Sequence, residues 1–356
     1  MAKIALITDT HFGARNDSEV LANFFDRFYS EVFFPYLVDN GIKEIIHLGD
    51  AFDRRKYINF QSLSRCKKYF YDHLVKNNLF LHEIVGNHDT YFKNTNDVNS
   101  PDLLLGEYDT YMGIYAHPTE VVIDGRKIAF MPWICSDNFD AAMDVIDNSD
   151  ASVLMGHLEL SGFEMHRGAV HQGGMTAEVF SKFDVVMSGH FHHKSSRGNI
   201  HYLGCPYEMT WSDYGDQKGF HIFDTETTEL TFIPNPLALF HKVQYNDIKW
   251  KDTEELNAFD FSNLKDTFVK VIVTNKNNPY WFDLFMDKIE KANPAHVQIV
   301  DDNLNLDMVD DEEILENLDD TMTMLHKSID SMQVEVDKTR LDALIKSLYN
   351  EALNLA

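Results

Sequence analysis

Glu44-Ile45-Ile46-His47-Leu48-Gly49-Asp50-Ala51-Phe52-Asp53 is an apolar run that stops at a glycine and gives way to a carboxylate. A strand ending in Gly-Asp delivers that carboxylate to the carboxyl edge of a sheet, where open α/β sheets bind their ligands. The arrangement recurs. Asp9-Thr10-His11 follows Ile4 to Thr8, and Gly86-Asn87-His88-Asp89 follows Ile84-Val85. Gly156-His157 follows Val153 to Met155, and Gly189-His190-Phe191-His192 follows Val185 to Met187. Strand ends that carry aspartate, histidine and asparagine in this way describe a metal site. Imidazole and carboxylate without thiolate suit Mn, Fe, Zn or Ni better than a structural zinc.

The chain has 356 residues, enough for one large domain and a smaller one, and its 44% hydrophobic and 13% aromatic content supports a sizeable core. No run reaches the roughly 18 apolar residues of a membrane span. The amino terminus leads straight into a strand without a basic or hydrophobic leader. Cys66, Cys135 and Cys205 are scattered and form no CxxC, as in a reduced, cytoplasmic protein. The net charge of −26 is uneven: residues 1–240 hold 33 acidic and 19 basic side chains, residues 241–300 hold 9 and 8, and residues 301–356 hold 15 and 4. Such acidity argues against unaided, non-specific DNA binding, which needs Lys and Arg on the phosphates. It does not exclude a nuclease, because bound divalent cations reverse the local field. A DNA substrate would then call for a basic partner or local basic loops.

The pattern predicts strands over 3–8, 44–48 and 79–85 and helices over 18–39, with Ser18 as cap, and near 60–77, a βαβαβ rhythm that implies a mostly parallel sheet. Val121 to Ile128 reads as a hairpin around Asp124-Gly125. Short strands follow at about 152–156, 184–188, 200–203, 220–224 and 229–233. Two sheets flanked by helices fit this better than one doubly wound sheet. Pro234-Asn235-Pro236 marks a domain break, after which a strand over 267–274, a helix over 279–292 and a strand over 296–300 form a small α/β unit. Leu315, Leu318, Met322, Leu325, Ile329 and Met332 form an a/d seam, and Leu341, Leu344, Ile345, Leu348 and Ala352 the apolar face of a second helix. This hairpin either folds back on its own domain or docks a partner.

The ordered set Asp-x-His, Gly-Asp-x-x-Asp, Gly-Asn-His-Asp, Gly-His and Gly-His-x-His resembles the calcineurin-like metallophosphoesterase superfamily over about residues 3–235. Asp9-Thr10-His11-Phe12-Gly13, Gly49-Asp50-Ala51-Phe52-Asp53 and Gly189-His190-Phe191-His192 are similar to the SbcD-type nucleases of recombination and double-strand-break repair, tailed-phage members included. The protein phosphatases of the superfamily carry Gly-Asp-x-x-Asp-Arg-Gly, where this chain has Arg55 after Asp53-Arg54. The resemblance implies an α/β fold: a two-sheet β-sandwich flanked by helices (1–235), a small α/β cap that contacts DNA (241–305) and a C-terminal helical hairpin (306–356). It implies two divalent metal ions, with Asp9, His11, Asp50 and His192 on the first and Asp50, Asn87, His157 and His190 on the second, Asp50 bridging. The mixed nitrogen and oxygen set suits Mn²⁺ better than Mg²⁺, which prefers an all-oxygen shell. His88, whose side chain diverges from that of Asn87, would face the substrate and protonate the leaving oxygen. Asp53 and Asp89 suit two roles, orienting imidazoles or capping a turn. The remaining histidines, His47, His171 and His193 among them, receive no role.

The resemblance further implies an SbcC-type coiled-coil ATPase partner on the C-terminal helices and a homodimer. This chain lacks the Gly-x-x-x-x-Gly-Lys-Ser/Thr motif of an ATPase. Lys242, Lys249, Lys251, Lys265, Lys270, Lys276, Lys288 and Lys291 are the cap's candidate phosphate contacts. The expected activity is metal-dependent exonuclease or endonuclease cleavage of DNA. The alternatives are a small-substrate phosphodiesterase or protein phosphatase of the same superfamily, which gives residues 241–356 no task, and a scaffold that lost catalysis, which the complete ligand set disfavours.

Overall fold

A computed structural model describes residues 3–166 and 168–301. Two six-stranded sheets lie face to face. The first runs, in spatial order, Leu230–Pro234, Gly219–Asp224, Lys3–Ile7, Glu44–His47, Phe80–Ile84, Met112–Tyr115. Its last four strands are parallel, as the βαβαβ rhythm requires, and the first two join antiparallel. The second runs Ser195–Arg197, Ile200–Tyr202, Val185–Gly189, Val153–His157, Arg126–Met131, Thr119–Ile123, with four parallel strands between antiparallel edges. The Asp124-Gly125 turn, with both residues at positive φ, joins the hairpin expected there.

The parallel strands are buried on both faces, which is why they read as continuous apolar runs rather than alternating ones. Ile4, Leu6, Ile46, Leu48 and Ile84 point inward and meet Ile128, Phe130, Val153, Met155 and Met187 of the other sheet. Ala5, Ile7, Ile45 and Leu81 point outward, under the helices. The helical stretches 19–39 and 60–77 cover that outer face, the first capped by Ser18, whose hydroxyl accepts from Leu21 N. Each contains one π-turn, Tyr29–Phe33 and Lys67–Tyr71, which sequence periodicity did not reveal. The extra residue per turn gathers Tyr29, Phe33, Tyr69 and Phe70 into one aromatic layer, with ring centroids 5.0–6.4 Å apart. Helix Phe139–Asn148, absent from the sequence reading, closes the outer face of the second sheet through Ala142 and Ile146.

After Pro234 the chain builds a parallel three-stranded sheet, Phe240–Asn246, Phe268–Asn275 and His296–Asp301, with helix Pro279–Lys291 packing Phe282, Phe285 and Ile289 on one face. Its first strand, Phe240–Asn246, is an addition to the sequence reading. This small sheet is stitched to the large body: the Glu208 carboxylate accepts from the backbone N–H of Leu239 (2.6 Å) and Phe240 (3.0 Å). The two helices expected beyond residue 305 lie outside the described residues.

The two large sheets come into contact at Gly189. A Cβ there would collide with Thr8 Oγ1 and lie 2.8 Å from the Leu48 carbonyl, both on the opposite sheet. Gly189→Ala is expected to cost about 1–3 kcal/mol by overpacking and to lower Tm by several degrees. Gly106→Ala, where a Cβ meets nothing within 4 Å, leaves Tm unchanged. Thermal unfolding of the two variants side by side checks this.

Candidate metal centre

Five strand ends, from Lys3–Ile7, Glu44–His47, Phe80–Ile84, Val153–His157 and Val185–Gly189, converge at one edge of the sandwich. There the chain turns sharply. Asp9 (φ 51°), His11 (φ 42°), Asp50 (φ 57°) and His190 (φ 86°) adopt left-handed backbone conformations that non-glycine residues rarely occupy. Such strain costs of order 1–3 kcal/mol per residue and persists only where the surroundings over-determine it.

The side chains form two groups of convergent ligand atoms: Asp9, His11 and His192, and beside it Asp50, His157 and His190. Within the first, His11 Nε2 is 3.0 Å from His192 Nε2 and 4.0 Å from Asp9 Oδ1. His11 Nε2 is also 4.0 Å from Asp50 Oδ2, so Asp50 stands between the groups. Within the second, His157 Nε2 is 3.2 Å from Asp50 Oδ2, and Asn87 Oδ1 lies 3.0 Å from both His157 Nε2 and His190 Nδ1. The eight positions named from sequence, Asp9, His11, Asp50, Asn87, His88, His157, His190 and His192, thus occupy one site.

The donor set fits divalent cations. His157 Nδ1 lies 2.7 Å from the Leu48 carbonyl and donates its proton there, which turns the Nε2 lone pair toward Asp50 and Asn87. Two acceptors and a lone pair then face one another, an arrangement that calls for a positive charge among them. The electrostatics agree. Burial disfavours charge on His157, yet Asp50 and Asp9 outweigh it and push the imidazole up to about 9. Burial likewise opposes charge on His11, but Asp53, Asp50 and Asp9 raise it to about 9. Asp50 is held well below the usual carboxylate range because His157, His88 and His11 overcome its burial. His190 and His192 are pushed down by burial and stay neutral, ready to ligate.

Asp53 and Asp89 stand differently. Asp53 Oδ1 lies 3.5 Å from His11 Nδ1, within ion-pair reach of the ring but without a hydrogen bond to it. Asp89 touches no imidazole and caps the turns instead: its carboxylate accepts from the backbone N–H of Asp50 (2.9 Å), Phe52 (3.1 Å) and Gly86 (2.9 Å). His88 lines the same cleft, its Nδ1 2.7 Å from the Asp53 carbonyl and its backbone N–H donating to Asp50 Oδ1 at 2.7 Å. With Nδ1–H engaged, Nε2 is the atom left to exchange a proton.

Several contributors carried no motif. Lys218, buried, bridges Asp213 (2.6 Å) and Asp216 (3.0 Å) and donates to the His192 carbonyl (2.8 Å). Its ammonium is held charged, burial being outweighed by Asp213 and Asp216. Arg55 Nε donates to the Asn87 carbonyl at 2.7 Å. His171 and His193 stand at the rim of the cleft, paired with Glu159 (3.0 Å) and Asp216 (3.0 Å). Trp133 leans on His190, with ring centroids 5.3 Å apart. Lys218 and Trp133 lie far from the motifs in sequence, while Arg55 and His193, beside them, gave no signal beyond their residue type. Of the cap lysines, Lys288 donates to two backbone carbonyls and Lys291 pairs with Asp287. Lys242 and Lys270 instead lie over the rings of Tyr214 and Trp211, in the loop whose Thr210, Ser212 and Asp216 line the cleft.

A buried layer supports the ligand turns from behind. Gly49 N–H donates to His47 Nδ1 (3.2 Å), so Nε2 bears the proton and donates to Thr10 Oγ1 (3.0 Å), whose own proton goes to the Ala51 carbonyl (3.2 Å). Burial lowers His47 to about 3, so it is neutral. Behind it Glu83 is fully buried, 3.6 Å from His47, and burial first, then Asp89, push its carboxyl well above the ordinary 4.5.

The motifs and the site geometry together match the Calcineurin-like phosphoesterase family, whose model aligns with residues 2–194, and the chain belongs to that family. The family depends on metal, in keeping with the two ligand groups. Over nearly its whole length the chain is similar to exonuclease subunit 1 of Enterobacteria phage T4, 32% identical over 355 residues that cover 98% of this chain and 99% of that one. It is 30% identical over 218 residues to the SbcD component of the SbcCD nuclease of Staphylococcus epidermidis, covering 55% of this chain and 54% of that one. A solved archaeal phosphodiesterase matches 65% of this chain and 99% of its own at 16% identity, with a TM-score of 0.34. Among the described residues no helix is long and apolar enough to cross a membrane.

The state of Glu83 has a sign that can be checked. A carboxyl whose folded-state value is raised favours the fold fully below the ordinary 4.5, and that contribution is lost as pH rises through the folded-state value. Glu83→Gln, neutral at every pH, removes the dependence. The Tm difference, variant minus wild type, is expected to grow as pH is raised from 4.5 to 8. A flat difference would show that Glu83 is not held as the neutral acid.

Proposed function

We propose that this chain is a two-metal DNA phosphodiesterase, the nuclease subunit of a recombination and double-strand-break repair complex of the SbcC/SbcD kind. The observation that carries the reading is the pair of adjacent ligand groups, with Asp50 of the second 4.0 Å from His11 of the first and His88 in the same cleft. Full-length similarity to a phage exonuclease subunit supports DNA as the substrate.

Asp9, His11, Asp50 and His192 would hold one cation, and Asp50, Asn87, His157 and His190 the other; Mn²⁺ would suit this nitrogen and oxygen set. Bound there, the pair supplies Lewis acidity and a nucleophile at neutral pH. The chain's own residues do the rest. Asn87 adds a neutral oxygen ligand, which limits the negative charge around an anionic substrate. The Asp53 carboxylate stays within ion-pair reach of the His11 ring, and the Asp53 carbonyl fixes His88 Nδ1, so that Nε2 delivers a proton to the leaving oxygen. Lys218, paired with Asp213 and Asp216, holds the His192 carbonyl from beneath.

Residues 1–235 form the nuclease domain, 241–305 the cap and 306–356 the docking tail. Lys242 and Lys270, beside the cleft loop, are the cap lysines best placed to meet phosphates. Of the basic run after Asp53, Arg54 pairs with Asp17 (2.8 Å) and Arg55 Nε holds the Asn87 carbonyl (2.7 Å), so the run braces the turns of the centre. The acidic tail, with its apolar a/d seam, docks on the coiled-coil root of an SbcC-type ATPase. The complex works as a homodimer in the cytoplasm of the cell that harbours it.

Purified chain is expected to degrade end-labelled duplex and circular single-stranded DNA with Mn²⁺ and to stop in EDTA; full activity in chelator would sink the proposal. His88→Ala should keep both metals by calorimetry while turnover falls about 10²–10⁴-fold, the usual contribution of a general acid. Asp50→Ala should bind neither metal well.

Deleting residues 306–356 should abolish co-purification with the ATPase and ATP stimulation of duplex digestion, with cleavage of a chromogenic phosphodiester retained. A fall in Tm together with loss of that basal activity would show that the tail packs on its own domain instead.

A further inference from the structure

Next to the metal cleft lies a second cavity of about 540 Å³, lined by Trp133, Cys135, Phe139, Leu158, Leu160 and Met175, together with Ser136 and the carboxylates of Asp140 and Glu159. Trp133 and Glu159 line both spaces, so a single indole separates the cavity from His190. Neither the sequence motifs nor the proposed mechanism uses it. Its walls are set in advance. The Trp133 carbonyl accepts from the side chains of Asn96 (2.8 Å) and Asn138 (2.9 Å), and Cys135 N–H donates to Asn138 Oδ1 (2.8 Å). On the other side Met175 N–H donates to the Glu159 carbonyl (3.0 Å), and Gly174, at φ 76°, passes so close beneath that carbonyl that no Cβ fits. His171 holds the Glu159 carboxylate at 3.0 Å.

We infer that this cavity receives the base of a nucleotide flanking the scissile phosphate, an inference that rests on the DNA phosphodiesterase reading above. The lining contains no Lys or Arg, so it does not suit a phosphate or another anion. It offers Trp133 and Phe139 as flat aromatic surfaces and Met175 as a polarisable one, which suits a neutral planar ring. Phe139 keeps 44% of its surface exposed, an uncovered aromatic at the mouth of a preformed cavity. The volume lies in the range of small-molecule sites. A phosphodiester held at the metal ligands sends its sugars outward past the nearest walls, and Trp133 is one of them. A base can enter only when it is out of the duplex stack, at a cost of a few kcal/mol that an unpaired strand avoids. The pocket therefore favours single-stranded or frayed ends.

The test uses the full chain with Mn²⁺, as wild type, Phe139→Ala and Phe139→Trp. The substrates are a short single-stranded oligonucleotide, the same strand with an abasic residue on one or the other side of the terminal scissile bond, and methyl p-nitrophenyl phosphate. Phe139→Ala is expected to lower kcat/KM on the intact strand about tenfold or more, the scale of losing one stacked base. On one of the two abasic strands it should change nothing further, Phe139→Trp should restore the intact-strand rate, and hydrolysis of the small ester should be the same in all three proteins. Equal loss on every substrate, or no loss on any, overturns the pocket assignment while leaving the nuclease reading in place. If wild type hydrolyses the small ester but no oligonucleotide, the nuclease reading falls, and the inference with it.

Discussion

Three backbone N–H groups from two separate turns point at the carboxylate of Asp89. That contact clamps the turn after strand Glu44–His47 to the turn after strand Phe80–Ile84, and the rest of the centre is built around it. The clamp leaves no room for a side chain at Gly86, where a Cβ would collide with Asp50. It also sets Asp50 and Asn87 side by side, so that both reach His157. A buried carboxylate is tolerable only when hydrogen-bonded. Even with its three partners, burial and the neighbouring Asp50 lift Asp89 to about 6.

Outside this clamp, each ligand depends on strain and on support from behind. The left-handed backbone at Asp9, His11, Asp50 and His190 would relax in an isolated loop. Here it is pinned by ladder bonds such as Asp9 N–H to the Gly49 carbonyl (3.0 Å) and His11 N–H to the Asp50 carbonyl (3.1 Å). The His47 layer, and Tyr207, whose hydroxyl donates to the Thr10 carbonyl at 2.6 Å, press on the same turns from the core. The aromatic packing of the helices is thereby coupled to the chemistry, because Tyr207 stacks on Phe25 at 4.0 Å between ring centroids. The cleft is lined by His11, His88, His190 and His192 together with the carboxylates of Asp50, Asp53, Glu159, Asp213 and Asp216, so it is cations at the ligand groups that would reverse the local field for an anionic substrate.

Much of this was legible in the amino-acid order. A strand buried on both faces is apolar almost throughout, so runs such as Val185 to Gly189 announce the element, and the polar residue that follows, His190, is thereby placed at the sheet edge. The parallel strands and the hairpin at Asp124-Gly125 were readable for that reason, most boundaries within about a residue, although the hairpin strands run on to Thr119 and Met131, and Met112–Tyr115 and Ser195–Arg197 were not foreseen. The roles left open for Asp53 and Asp89 could not be decided in this way, since a carboxylate two or three residues from a ligand reaches either an imidazole or a backbone N–H.

Other features were decided by tertiary structure alone. Lys218 lies 26 residues from the His192 carbonyl it holds, and Glu83 reads as one polar residue in a strand. Trp133 lies in a loop that packs on His190, and Phe139, at a helix start, lines a cavity with it. The π-turns arise because aromatic packing outweighs regular helix geometry, a balance invisible in propensity. The sequence by itself determined which side chains stand at the ends of strands, because the strand period and the terminal glycine are local. Which of those ends meet, what holds them and what cavity lies alongside depended on two sheets closing over a shared core, and that is a property of contacts between residues far apart in the chain.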